Sequence, residues 1–204
     1  MMTTKIKICG LTTERDIYFA NVLRPDFIGF IFARGSRRYV TPDIASKLHM
    51  KLLPSVRTVG VFANQQFKSI EWIIRNGNID IVQLHGHESD DYIISLRQII
   101  RKPIIKAFNI ESTKDVDRAA NSPADLILLD NGAGGTGKTF DWSLVKNLER
   151  PFFLAGGLDP DNVRAAVFNT HPYAVDVSSG VEKERVKDFE KMQDFINAVR
   201  RDRK

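Results

Sequence analysis

Residues 5–13 read Lys-Ile-Lys-Ile-Cys-Gly-Leu-Thr-Thr: a short apolar run that stops at Cys9-Gly10 and leads into threonines suited to start a helix. The run reads as a strand, and the residues just after it choose between two ways of building an α/β protein. An open, doubly wound sheet shows a glycine triad for phosphate after its first strand. No triad comes after Gly10, so the reading is a closed (β/α)8 TIM barrel, in which catalytic groups sit where the strands end.

Seven further runs of the same kind lie downstream: Phe27 to Phe32, Arg57 to Phe62, Ile79 to Leu84, Pro103 to Phe108, Leu126 to Leu129, Phe152 to Ala155 and Ala174 to Val177. An amphipathic helical stretch is expected between each pair, as in successive βαβ units. Helix starts are signalled by Thr12 or Thr13 before Glu14, Thr41 before Pro42, Ser89 before Asp90 and Asp91, and Asp159 before Pro160. Ile70, Ile73 and Ile74, and likewise Phe189, Met192, Phe195, Ile196 and Val199, recur at helical spacing and so belong to the core. Eight units in 204 residues fit the lower end of the barrel range, and residues 1–204 read as one domain.

Composition narrows the partners. The chain is 43% hydrophobic and has no apolar stretch approaching the ~18 residues that cross a bilayer, nor a cleavable leader, so a cytoplasmic protein with no membrane partner is expected. Cys9 is the only cysteine, which excludes an internal disulfide, and one thiol cannot by itself build a structural zinc site. The formal charge of +5 suits an anionic partner, either a phosphorylated metabolite or a nucleic acid. Part of that excess is the tail Arg200, Arg201, Arg203 and Lys204, which reads as a solvated helix end. A small phosphorylated molecule is therefore the expected partner, with no nucleic acid.

The strand ends supply the chemistry. Cys9 ends the first strand, the basic loop Arg34-Gly-Ser-Arg37-Arg38 comes after the second, and His85 ends the fourth. Asp130 ends the sixth, Gly156-Gly157 the seventh, and Asp176, Ser178, Ser179 and Gly180 stand at the eighth. Loops after the last two strands of such barrels often form a phosphate site from backbone N–H groups, and Gly156, Gly157, Ser179 and Gly180 suit that task. A free cysteine is commonly a small buried hydrophobe. At a cationic barrel mouth, Cys9 would instead lose its proton near neutral pH and act as nucleophile or base. Asp130, at the end of Leu126-Ile-Leu-Leu129, would be the acid across from it. One of Arg34, Arg37 and Arg38 would meet a substrate carboxylate. His85 orients a loop, lines the site or caps a strand, and Asp176 is expected to shape the phosphate loop rather than perform chemistry.

A rival motif lies at Gly132-Ala-Gly-Gly-Thr-Gly-Lys138-Thr139, which satisfies the P-loop pattern. A nucleotide-binding protein would use Lys138 on phosphates and Thr139 on magnesium, with Asp176 as its second aspartate. The continuation Phe140-Asp-Trp142 begins a helix poorly, and only two strands remain after it. In the barrel reading, the segment is a glycine-rich cover over the site.

Six motifs in order, Lys7-Ile-Cys-Gly-Leu-Thr12, Val59-Gly-Val-Phe62, Val82-Gln-Leu-His-Gly86, Gly134-Gly-Thr-Gly-Lys-Thr-Phe-Asp-Trp142, Ala155-Gly-Gly-Leu158 and Val175-Asp-Val-Ser-Ser-Gly-Val-Glu182, resemble the phosphoribosylanthranilate isomerase family of tryptophan biosynthesis. The resemblance runs nearly end to end. It implies a cofactor-free, metal-free Amadori-type rearrangement, with Asp130 as general acid and Cys9 as general base. It further implies Arg38 on the anthranilate carboxylate, and Gly156-Gly157 and Ser179-Gly180 on the phosphate. One departure is that Lys183-Glu-Arg-Val186 lacks the glycine often found there in the family.

Overall fold

The computed structural model describes residues 3–77, 79–131 and 139–200. Eight parallel strands form a closed ring: β1 (Lys5–Cys9), β2 (Phe27–Ile31), β3 (Arg57–Phe62), β4 (Ile81–Leu84), β5 (Ile104–Asn109), β6 (Leu126–Asp130), β7 (Phe152–Leu154) and β8 (Ala174–Val177). The closing ladder sets Lys5 against Ala174, Ile6 against Val175, Lys7 against Asp176 and Ile8 against Val177. All eight expected runs are strands. Their ends differ slightly: β4 starts at Ile81 because Asp80 turns its carboxylate to the N–H of Thr58 at 2.8 Å, and β6 runs on through Asp130.

Around the ring lie α1 (Glu14–Leu23), α2 (Pro42–His49), α3 (Phe67–Gly77), α4 (Asp90–Ile99), α5 (Thr113–Ala120), α6 (Val163–Thr170) and α7 (Phe189–Arg200). Thr13, not Thr12, caps α1: its hydroxyl accepts from Asp16 N–H and its own N–H donates to the Asp16 carboxylate, satisfying two otherwise unpaired amides. Thr41 with Pro42, and Ser89, cap α2 and α4 as expected. Asp159 does not start α6. Its carboxylate accepts from the N–H groups of Asp161 and Asn162, forming a turn, and the helix begins at Val163.

The sixth unit also departs from the expected alternation. Between β6 and β7, the described residues hold a four-residue 3-10 helix, Trp142–Val145, and no α-helix. Pro151 disfavours helical geometry in the residue before it.

Each strand is buried on both faces, as in parallel sheets covered by helices. Ile6, Ile8, Ile28, Phe30, Val82, Ile127 and Leu129 face the helices. Phe27, Val59, Ile81, Ile105, Leu128, Phe153 and Ala174 fill the barrel. Among these apolar groups lies a buried ion pair, with Lys7 Nζ 2.9 Å from both carboxylate oxygens of Asp176. After β8 come a 3-10 turn, Ser179–Val181, and a small hairpin of β9 (Glu182–Lys183) and β10 (Val186–Lys187). At its tip, where glycine is absent, Glu184 and Arg185 adopt φ of 52° and 68°, a left-handed geometry that costs non-glycine residues about 1–2 kcal/mol each.

Removing one member of the buried pair leaves the other as an uncompensated charge. Asp176→Asn should cost about 3–5 kcal/mol in chemical denaturation. The double change Lys7→Met/Asp176→Leu should recover most of that loss, because it removes both charges and keeps the volume.

Candidate active site

Parallel closure brings all eight strand C-termini to one rim, so residues far apart in sequence meet there. A cavity of about 380 Å³ opens at that rim, and Cys9, Arg38, His85, Asp130, Gly156, Gly157, Asp176, Ser178 and Ser179 line it. Of the expected site residues, only Gly180 is not part of the lining; a β-carbon on it would run into the carbonyl of Leu158. Lys138 and the segment 132–138 lie outside the described residues. Thr139 leads into extended chain and then the 3-10 turn, not into the α-helix a P-loop requires.

Cys9 enters the cavity from β1 with 7% of its surface exposed. Its neighbour across the ladder is Gly29, and a β-carbon there would sit 2.6 Å from the Cys9 sulfur, so the thiol occupies space that any other residue would fill. The Cys9 carbonyl accepts from Ser178 Oγ at 3.0 Å, tying β1 to the loop after β8. Burial pushes the thiol above its ordinary value against the pull of Lys7 and Lys187. This corrects the expectation of a thiol that ionises near neutral pH: the cations are present, but desolvation outweighs them. Asp176 is likewise not a brace for the phosphate loop. It points into the barrel, where burial would discharge Lys7, yet Asp176 and, less so, Cys9 keep that lysine's pKa raised.

Asp130 faces the cavity from β6 with 13% of its side chain exposed. Its Oδ1 accepts from Asn131 N–H at 2.7 Å, and Oδ2 lies 3.4 Å from His85 Nε2. His85 is oriented in turn by Gln83, two residues earlier, whose amide Nε2 is 2.9 Å from His85 Nδ1. The Gln83 amide thus fixes the ring beside the Asp130 carboxylate. Of the three readings for His85, the structure bears out that it lines the site, beside Asp130.

At β7 and β8 the backbone itself forms the wall. Gly156 has φ of 86°, and a β-carbon there would fall 2.7 Å from Asn131 N and 2.8 Å from Asp130 Oδ1, so only glycine fits. Asn162 Nδ2 holds the next residue through the Gly157 carbonyl at 2.8 Å. Among the described residues, the N–H groups of Gly157, Ser179 and Gly180 are not given to backbone carbonyls, which leaves them for an anion.

Of the three arginines, Arg38 reaches the cavity, Arg34 lines a neighbouring groove, and Arg37 is directed to Glu182. Glu182, Lys187, Lys7 and Gln83 form a charged and polar support that the sequence reading did not assign. Lys7 carried a signal, since strand periodicity places it on the inward face with Cys9. Burial would raise the Glu182 carboxyl, but hydrogen bonds from Arg38 and the charge of Lys187, with Arg37, hold it at about 2.

A closed β/α barrel whose rim gathers a thiol, a carboxyl, a guanidinium and free backbone amides around one small cavity has the architecture of a barrel enzyme. Residues 6–198 match the family model described as N-(5'phosphoribosyl)anthranilate (PRA) isomerase. The chain belongs to that family, and is an isomerase of tryptophan biosynthesis. It is 42% identical over 200 residues to the N-(5'-phosphoribosyl)anthranilate isomerase of Endomicrobium trichonymphae, covering 96% of this chain and 98% of that protein. The phosphoribosyl anthranilate isomerase structure from Thermotoga maritima superposes with a TM-score of 0.91 at 38% identity, over 97% of this chain and 99% of that one. A further solved isomerase, in complex with reduced 1-(o-carboxyphenylamino)-1-deoxyribulose 5-phosphate, gives 0.88 at 36% identity, over 97% and 99%.

The electrostatics of the site can be checked at two residues. Cys9, buried and held protonated, should react with iodoacetamide at pH 8 at least about tenfold more slowly than a free thiol, because only the thiolate attacks. Glu182, whose folded value of about 2 lies below its ordinary 4.5, contributes stability that is complete above pH 4.5 and lost as pH falls toward 2. Urea midpoints across that window should drop in the wild type and lose this component of the slope in Glu182→Gln.

Proposed function

We propose that the rim cavity converts N-(5-phosphoribosyl)anthranilate into 1-(2-carboxyphenylamino)-1-deoxyribulose 5-phosphate, with Asp130 as general acid and Cys9 as general base. The observation that carries this reading is that the two side chains line one cavity from strands three positions apart around the ring, β6 and β1. That spacing puts an acid and a base on different sides of a small sugar chain.

Asp130 gives its proton to the ribose ring oxygen as the bond from that oxygen to C1 breaks, and the nitrogen lone pair forms the C=N bond of a Schiff base. Cys9, in the thiolate form that Lys7 and Lys187 favour against the pull of burial, then takes the proton on C2. The released electron pair becomes the C1=C2 bond, and the C=N electrons return to nitrogen, leaving an enolamine. Proton loss from the C2 hydroxyl and proton gain at C1 complete the ketone. No oxidant, metal or cofactor enters any step. His85, fixed by Gln83, keeps the Asp130 carboxyl aimed into the cavity.

Binding falls to the backbone and one cation. The free amides at Gly156-Gly157 and Ser179-Gly180 receive the phosphate, with Ser179 adding a hydroxyl donor while the Ser178 hydroxyl stays on the Cys9 carbonyl. Arg38 receives the anthranilate carboxylate. The substrate is thereby held at both ends while its reacting carbons lie between Cys9 and Asp130. The reading involves no nucleic acid and goes with a cytoplasmic location.

Condensing anthranilate with ribose 5-phosphate supplies the substrate, and the loss of its fluorescence tracks turnover. Cys9→Ala and Asp130→Asn should each lower kcat by roughly 10² to 10⁴ while the folded state persists. Near wild-type turnover in either variant would remove that residue from the mechanism.

A further inference from the structure

Glu182 stands at the start of β9 with only 5% of its side chain exposed, and it gathers three cations. Its Oε1 accepts from Arg38 Nε at 2.6 Å and from Lys187 Nζ at 2.8 Å. Its Oε2 accepts from Arg38 Nη2 at 3.0 Å and from Arg37 Nη2 at 2.5 Å. One carboxylate therefore uses the side-on edge of the Arg38 guanidinium, formed by Nε and Nη2. A guanidinium has a second bidentate edge, formed by Nη1 and the remaining Nη2 hydrogen. Among the described residues, Nη1 of Arg38 has no protein partner, and Arg38 lines the cavity.

We propose that Glu182 is the positioning residue that makes this enzyme selective for a carboxylate on the substrate's aromatic ring, by fixing one edge of Arg38 so that the other is presented to the cavity. This rests on the reading of Arg38 as the carboxylate partner. Three cations around one carboxylate leave a net charge of +2, so the cluster still attracts an anion after Glu182 is counted. Neutralising Glu182 would leave Arg37, Arg38 and Lys187 repelling one another, with nothing to hold the guanidinium in its plane. The anchoring also reaches the rest of the rim. Lys187 donates to the Ser178 carbonyl at 2.8 Å, and Ser178 Oγ donates to the Cys9 carbonyl at 3.0 Å. The carboxylate reader is thereby held in register with the phosphate loop and the thiol.

A purely structural brace would affect every substrate alike, whereas a device for reading the carboxylate affects only substrates that carry one. The test compares two N-aryl phosphoribosylamines, prepared by condensing ribose 5-phosphate with anthranilate or with aniline, with ketose formation monitored by NMR. In Glu182→Gln, KM for the anthranilate compound should rise by about tenfold with kcat within about twofold, and kcat/KM for the aniline compound should stay within about twofold of wild type. Glu182→Asp keeps the charge on a shorter arm and serves where the glutamine variant is unstable; it should show the same split at smaller size. Equal losses on both substrates, or no loss on either, overturn the proposal. Arg38→Met separates the role of the arginine from that of the glutamate. If it leaves the preference for the carboxylate intact, the reading of Arg38 falls and this inference with it. If it abolishes the preference while both Glu182 variants keep it, only the role of Glu182 falls.

Discussion

The ladder between β8 and β1 pairs Lys5 with Ala174 and continues to Ile8 with Val177, and in doing so sets the relative height of every strand end. Because the register is shared around a closed ring, no strand can slip without breaking bonds on both sides. Closure places Cys9 beside Ser178 although 169 positions separate them, and their hydrogen bond forms without either loop having to search for the other. The same closure puts Lys7 and Asp176 face to face inside the barrel. A charged pair there is tolerable because Lys7 meets both carboxylate oxygens, which offsets the cost of taking the two charges out of water. The rim chemistry is thus supported from below by one buried ion pair and from the side by another cluster, the one around Glu182.

Much of this was legible in the sequence, for identifiable reasons. Strand runs such as Arg57–Phe62 and Ala174–Val177 were readable because parallel strands covered on both faces need uninterrupted apolar, β-branched residues. Helix starts at Glu14, Pro42 and Asp90 were readable because a hydroxyl cap is a local requirement. The placement of Cys9, Asp130 and the two glycine loops came from one topological rule about strand ends. What failed was whatever depends on competition between groups. Asp159 could cap a helix or form a turn with the same atoms, and only the path of residues 160–162 decides. The ionisation of Cys9 depends on burial against two lysines, a balance that residue order does not contain. Among the described residues between β6 and β7, a 3-10 turn stands where the alternation predicts an α-helix, and Pro151 closes the segment.

Two opposite uses of charge coexist a few residues apart. Beneath the thiol, Lys7 and Asp176 neutralise each other, the lysine fully buried and the aspartate nearly so. At the rim, Glu182 is outnumbered by Arg37, Arg38 and Lys187, so the surplus is positive and faces the side from which an anionic substrate approaches. The first arrangement keeps the barrel interior quiet, and the second produces a field. Between them, Asp130 accepts from the Asn131 amide and stands beside the His85 imidazole, with no cation of its own bonded to it among the described residues.

The empty space at Gly29 has a bearing on how this barrel can vary. The sulfur of Cys9 fills the volume that a β-carbon at position 29 would claim, at a separation of 2.6 Å that no real pair of atoms would keep. The two positions are therefore not independent sites for substitution: a side chain at 29 is accepted only after residue 9 has given up its thiol or the two strands have moved apart. A lineage can exchange the cysteine for a different base while glycine stays at 29, whereas a side chain at 29 has to follow that exchange, so the order of the steps is dictated by volume before it is dictated by chemistry.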